Sequence, residues 1–354
     1  MRAILLAGGK GTRLRPLTLH TPKPIVPIFD RSFLRYQIDL LRQVPEIDEI
    51  VLSLNYQPGR IEEVFGDGSE LGIRLRYVVE PTPLGTGGAI KFAAGDTRDQ
   101  PLVVFNGDVF TSVDLSAVIR LHREREARAT IVLTPVEDPS AYGLVQTDAH
   151  GNVLDFLEKP PAGETPCNTI NAGIYVLEPQ TLDRIPKDTT FSIERGYFPS
   201  LVENHETFVA VISHGYWIDI GTPDKYLQAH RDIMDGRFVA APFASGTGGA
   251  CVSPDARIEN GATIEGPCFI DRGVVIKKGA TIKRYSVIGH HCHIDEDASI
   301  DGAILWPNTW VDREARLGPV IAGRHAHFGR NVQIDGGVFG DKSVITDFSQ
   351  SVKG

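Results

Sequence analysis

Isoleucine recurs at Ile258, Ile264, Ile270, Ile276, Ile282, Ile288, Ile294 and Ile300, a strict spacing of six. Two residues before each stands Ala256, Ala262, Cys268, Val274, Ala280, Ser286, Cys292 or Ala298, small in every case except the valine. Neither the 3.6-residue period of a helix nor the alternation of an ordinary strand produces such a run. A parallel β-helix does, because each flat face turns a corner every six residues. The isoleucine fills the prism interior and the small residue fits the tight slot beside a corner. The register breaks after Trp306 and resumes in another phase at Val332, Val338 and Val344.

The ends of such a coil carry unpaired strand edges, so capping or self-association is expected, and with it a homo-oligomer. On this reading the coil is a spacer and oligomerisation module. His290, His291 and His293 beside Cys292 open an alternative, a metal cluster or the base of an acyltransferase, a chemistry that similar hexapeptide helices host. Because Cys292 takes the small inward slot, the histidines fall at the corner or outside.

The rest of the chain has a different grammar. Short apolar runs (Ala3–Leu6, Ile50–Leu54, Leu75–Val79, Leu102–Phe105, Ala129–Leu133) alternate with helical patterns at Phe33–Val44 and Leu115–Glu126. Later runs at Leu144–Gln146, Val153–Leu157, Asn171–Leu177 and Phe208–Ile212 extend the sheet, and Thr222–Asp235 reads as a helix. This predicts an α/β fold with a Rossmann-like, mostly parallel sheet over residues 1–236. A linker occupies 237–250, Gly-rich and uncharged over 239–250, and a left-handed parallel β-helix occupies 251–354.

With 354 residues and a formal net charge of −9, the chain is acidic, yet no aspartate or glutamate precedes Asp30. Arg2, Lys10, Arg13, Arg15 and Lys23 make the opening segment cationic. Overall acidity argues against nucleic acid as a partner, while the local cations suit a small anionic ligand. No apolar run approaches the roughly 20 residues of a membrane span. No secretory signal precedes the first strand, so no membrane role and a cytoplasmic location are expected. Cys167, Cys251, Cys268 and Cys292 show no CxxC pairing, in keeping with free thiols in a reducing compartment.

The stretch Gly8-Gly9-Lys10-Gly11-Thr12-Arg13-Leu14 fits neither familiar phosphate loop. A dinucleotide fingerprint needs a small residue where Leu14 stands, and a Walker loop needs Ser or Thr after Lys10. Both need a following helix, which Pro16, Pro22, Pro24 and Pro27 preclude. The glycines let backbone N–H groups approach a ligand, and Arg13 and Lys23 can neutralise a triphosphate, with Pro22 and Pro24 clamping Lys23. Asp108, in Asn106-Gly107-Asp108, ends a buried strand at the sheet edge where ligands bind, and is a natural Mg²⁺ ligand. Asp219, in Trp217-Ile218-Asp219, supplies a second carboxylate. Phe156-Leu157-Glu158-Lys159-Pro160 and Asn171-Ala172-Gly173 offer a carboxylate, an ammonium and an amide suited to a phosphorylated sugar.

In this order, these stretches resemble the sugar-1-phosphate nucleotidyltransferases. The opening is similar residue for residue to that family's GGxGTRLxPLTxxxPKP pattern. LGTGGA at 84–89, FLEKP at 156–160, NAGIY at 171–175 and YWIDIGTP at 216–223 look most like its mannose-1-phosphate guanylyltransferase branch. The resemblance implies that Leu6, Ala7, Gly8, Gly9, Gly11, Thr12, Arg13, Lys23, Glu80 and Gly85 contact the nucleotide. It implies that Asp108 and Asp219 hold Mg²⁺, and that Gly143, Glu158, Lys159, Asn171 and Gly173 hold the sugar phosphate. Arg13, Lys23, Asp108 and Asp219 would carry catalysis, with Glu194 and Arg195 as further sugar-site candidates.

The expected reaction is attack by an oxygen of the sugar 1-phosphate on the α-phosphorus of a nucleoside triphosphate, releasing pyrophosphate. The nucleophile is already an anion, so neither base nor covalent intermediate is needed, matching motifs without His or Cys. Positioning and relief of repulsion between polyanions remain the protein's task. Glu80, an acceptor-only carboxylate, matches the adjacent N1–H and N2–H donors of guanine, which favours GTP, and the resemblance implies mannose 1-phosphate as the sugar. The alternatives are a glucose-1-phosphate uridylyl- or thymidylyltransferase, a heptose-1-phosphate guanylyltransferase, and a regulatory paralogue that senses sugar nucleotide. The last is disfavoured by the presence of every charged catalytic position.

Overall fold

The computed structural model describes residues 1–139, 142–158, 167–244, 246 and 248–351. It comprises two compact units, one of Met1–Lys10 with Leu34–Asp219, the other of Gly11–Phe33 with Ile220–Gly354.

In the first unit, the strands Arg74–Val79, Glu49–Leu54, Arg2–Leu6 and Leu102–Asn106 lie side by side in parallel. Thr169–Leu177 adds antiparallel to Leu102–Asn106 and also pairs with Ala129–Pro135, Gly143–Thr147 joins it, and Val153–Glu158 closes that edge. A parallel sheet covered on both faces needs near-continuous apolar strands. Glu49–Leu54 is accordingly buried at every position. The expected helices form as Phe33–Leu41 and Leu115–Glu124, and in the second unit as Pro223–Met234. Asp114 caps the second by accepting from the Ala117 N–H. The strand order reverses at Arg2–Leu6, flanked by Glu49–Leu54 and Leu102–Asn106, so a crevice opens beyond its carboxyl end.

The second unit contains a left-handed parallel β-helix of three sheets with, among the described residues, six, six and five strands. Ile270, Ile276, Ile282, Ile288, Ile294 and Ile300 stack in its interior, and Cys268, Val274, Ala280, Ser286, Cys292 and Ala298 are buried beside them. Beyond Ile300 the structure corrects the sequence reading. The inward column continues without interruption through Leu305, Val311, Leu317, Ala322, Phe328 and Ile334. Ile288 pairs with Leu305 and Ile294 with Val311, so each later coil is one residue shorter than the early ones. The lost residue comes from the corner after the third sheet, where Ile300 to Leu305 is a step of five. Val344, expected inside, is 68% exposed, and Val332 occupies the small slot instead. Corners are built by residues in the left-handed region, among them Tyr285, His291, Asp297 and Asn308.

Within the same unit, Gly11–Phe33 forms three single 3₁₀ turns, Thr12–Leu14, Leu17–Leu19 and Lys23–Ile25, as the prolines require. A short hairpin of Pro27–Ile28 and Arg31–Ser32 follows.

Candidate active site

The site is built first on the sheet edge of the first unit. Leu6 lies opposite Asn106, and the Gly107 N–H donates to the Leu6 carbonyl at 3.0 Å. A Cβ on Gly107 would stand 2.4 Å from that oxygen, so only glycine fits. The turn is clamped from beneath by buried Gln37, whose Nε2 donates to the carbonyls of Asn106 and Val109, both at 2.9 Å. These two bonds bracket the half-buried Asp108. The next strand, Val109–Thr111, pairs antiparallel with Trp217–Asp219, and Asp219 stands opposite Val109. Asp108 and Asp219 are therefore one register step apart. The Tyr142 phenol donates to Asp219 Oδ2 at 3.0 Å, its ring packs edge-on against Trp217, and the Trp217 indole N–H donates to the Ala172 carbonyl.

Behind this pair lies Tyr175, wholly buried. Burial pushes its phenol well above the ordinary range, and the charges of Glu194 and Asp108 act in the same direction. Asn171 donates to the Tyr175 oxygen at 2.9 Å and accepts from the Gly173 N–H at 2.9 Å. Gly173 sits at a bulge with φ of 75°, and a Cβ there would meet the Asn106 amide at 2.7 Å. Asn106 Oδ1 is buried and accepts no hydrogen bond among the described residues. Glu194 Oε2 accepts from Thr86 and Ser192, both at 2.7 Å.

On the nucleotide side, the Ala7 N–H is spent on the sheet, donating to the Ser53 carbonyl at 2.9 Å. Gly8 packs close to Asn55, while Gly9 has open space around it. Glu80 is 8% exposed and ties its own loop, accepting from Ser53 Oγ at 3.1 Å and from the Leu84 N–H at 3.0 Å. One lone pair on each oxygen remains for a ligand. Gly85 opens the helix Gly85–Ala94 at φ 70°, and a Cβ there would press on the Phe191 carbonyl at 2.8 Å. Its glycine character is thus dictated by packing, since Gly87 and Gly88 meet the same segment.

The second unit carries Gly11, Thr12, Arg13 and Lys23. Gly11 adopts φ 60° and accepts from Thr18 Oγ1 at 2.7 Å, with the Lys23 stem beside it. Lys23 is buried, while Thr12 and Arg13 are exposed on their 3₁₀ turn. Of the sugar-phosphate candidates, Gly143 stands opposite Glu158 in the register, Gly173 lies beside Asn106 and donates its N–H to Asn171, and Lys159 falls outside the described residues. Gln37, Tyr142 and Tyr175 were not anticipated. Tyr142 directly precedes Gly143, the nearest thing to a signal in the sequence.

Among the described residues, no group of three or more His, Cys, Asp or Glu side chains is placed to hold a metal ion. In the β-helix, His291 forms a corner at φ 58° and His293 stacks on Trp310 at 4.0 Å. Nor, among the described residues, is any helix long and apolar enough to cross a membrane.

The α/β sheet has a glycine turn at its switch point and two aspartates one register step apart, and residues 2–236 match the Nucleotidyl transferase family, a class of nucleotide-handling enzymes. The chain belongs to that family, and residues 264–349 match the GMPPB C-terminal domain. It is 36% identical to mannose-1-phosphate guanylyltransferase of Mycobacterium tuberculosis, over 88% of this chain and 81% of that protein. It is 33% identical to UTP–glucose-1-phosphate uridylyltransferase of Synechocystis, over 90% and 86%. Among solved structures, HddC from Yersinia pseudotuberculosis, also crystallised with GMP-PN, matches with a TM-score of 0.56 and 30% identity. That match covers 66% of this chain and 99% of HddC.

Proposed function

We propose that this chain transfers GMP from GTP to mannose 1-phosphate, giving GDP-mannose and pyrophosphate. The observation that carries the chemistry is that Asp219 stands opposite Val109, the residue after Asp108, just beyond the end of the strand Leu102–Asn106. The choice of sugar and base draws on the relatives named as mannose-1-phosphate guanylyltransferases.

The paired carboxylates fit Mg²⁺. They are hard oxygen donors, and two of them leave most of an octahedral shell for water and substrate phosphates, as this ion prefers. When bound, Mg²⁺ would neutralise phosphate charge and align the α-phosphate for in-line attack. The protein's own residues supply the rest. Arg13 and Lys23 offset triphosphate charge, and Gly8, Gly9 and Gly11 allow close backbone approach. Tyr142 and Gln37 fix the two aspartates in place. Asn171, Gly173, Gly143, Glu158 and Lys159 hold the sugar phosphate. Residues 1–236 carry catalysis, 237–250 join, and 251–354 form the β-helix through which the chain self-associates in the cytoplasm.

The test is pyrophosphate release over GTP, UTP, dTTP and ATP crossed with mannose, glucose and heptose 1-phosphates. GTP with mannose 1-phosphate should be the best pair. Asp108→Asn and Asp219→Asn should each lower turnover by about a hundredfold or more while melting cooperatively. A preference for UTP with glucose 1-phosphate would replace the substrate assignment. Undiminished turnover in the aspartate variants would overturn the mechanism.

A further inference from the structure

The segment that carries Arg13 and Lys23 is fastened to the β-helix at three points, all within one compact unit. First, the Trp306 side chain, carried by a β-helix coil and only 1% exposed, donates its indole N–H to the Tyr226 oxygen at 3.1 Å. Tyr226, wholly buried on the helix Pro223–Met234, donates its own proton to the Pro27 carbonyl. Proton direction is thereby fixed along the chain Trp306, Tyr226, Pro27, because an indole N–H only donates and a carbonyl only accepts.

Second, Phe29 at the tip of the hairpin takes φ 56°, a conformation unfavourable for a bulky residue without support. Its ring fills a socket made by His230, Phe243 and Phe269, with centroids 4.9, 5.4 and 5.3 Å away. Its N–H donates to His230 Nε2 at 3.4 Å, while His230 Nδ1 donates to the Tyr226 carbonyl. Third, Pro16 packs on Gly340 of a late coil, where an added Cβ would stand 3.1 Å from the proline ring. A spacer needs none of these contacts.

We propose that Trp306, Tyr226 and His230 are positioning residues for the nucleotide, through which the β-helix holds the Gly11–Phe33 segment in its binding shape. The inference rests on the reading that this segment grips the triphosphate. The path to Lys23 is short and stiff. Tyr226 holds Pro27, the Val26 N–H bonds back to the Lys23 carbonyl, and Ile25 bonds to Pro22. Proline at positions 22, 24 and 27 limits how much of a displacement the backbone can absorb. A shift at Pro27 is therefore handed on to the ammonium of Lys23.

The experiment uses the full chain with Tyr226→Phe, Trp306→Phe and the double variant. Either single change breaks the relay while conserving an aromatic ring. Steady-state kinetics with GTP and mannose 1-phosphate should show KM for GTP raised about tenfold, with KM for the sugar phosphate within about twofold of the parent. The double variant should be no worse than the worse single, because both cut one chain of bonds. Amide exchange at Ile25 and Val26 should quicken, while Val51 and Val104 in the central sheet keep their protection. Equal changes in both KM values, or unaltered exchange at Ile25 and Val26, would overturn the proposal. Should the parent chain turn over no substrate pair, the functional reading fails by itself, and the exchange measurement still decides whether the β-helix holds the segment.

Discussion

The phenol of Tyr142 donates to Oδ2 of Asp219 at 3.0 Å, joining the residue before Gly143 to the last residue of the strand Trp217–Asp219. A charge-assisted bond of this kind orients a carboxylate. Such outer partners of metal-binding carboxylates matter nearly as much as the carboxylates themselves.

Tyr142→Phe keeps the ring on Trp217 and removes the bond to Asp219. The Mg²⁺ concentration giving half-maximal rate should rise about tenfold, with little change in melting temperature. A Mg²⁺ titration of both proteins measures it, and coincident curves would deny Tyr142 its orienting role.

Gly107→Ala tests the turn beneath Asp108. The added methyl would start 2.4 Å from the Leu6 carbonyl, which belongs to the central strand and cannot swing aside. Either the turn lifts or the strands part, at a cost of about 2–3 kcal/mol. Because the same turn carries Asp108, turnover should fall further than the lost stability explains. Urea unfolding and initial rates on the same preparation separate the two effects.

Glu80→Gln is a cleaner test of base choice than it first looks. The glutamine oxygen can accept from the Leu84 N–H while its amide donates to Ser53 Oγ, since a hydroxyl accepts as readily as it donates. The loop should therefore survive, and only the acceptor character toward a base should change. The preference for GTP over UTP, taken as a ratio of kcat/KM values, should fall about tenfold or more. An unchanged ratio assigns Glu80 to loop architecture alone.

The fold was more legible than the site. Parallel strands such as Ile50–Leu54 must be apolar on both faces, and the early coils repeat one spacing, so each leaves a pattern a reader can find. The late coils hid because a corner shortened by one residue moves the phase without changing the chemistry of Leu305, Val311 or Leu317. The carboxylates stood out because each follows an apolar strand run. Gln37 and Trp306 left no functional trace and Tyr142 only its place before Gly143, since each works through a partner more than sixty residues away. Gly85 is ambiguous for a different reason. Close packing on Phe191 asks for the same residue that a phosphate would.

His230 gives the most specific pH dependence. It is wholly buried, and burial lowers its pKa from 6.5 to about 4, opposed only by its bond to the Tyr226 carbonyl. Neutral imidazole is what the geometry needs, because Nε2 must keep a lone pair for the Phe29 N–H. The unfolded chain binds this proton more readily than the folded one, so stability from this group is complete above pH 6.5. It is lost as pH falls from 6.5 toward 4, by about 1.4 kcal/mol per unit and about 3 kcal/mol in all. In His230→Gln the cost of substitution is independent of pH, so the gap between parent and variant should be constant above pH 7. It should narrow steadily between pH 6.5 and 4. Urea unfolding followed by tryptophan fluorescence across that range measures the gap. One that stayed constant down to pH 4 would mean that the imidazole accepts a proton in place, with Phe29 no longer tied to it.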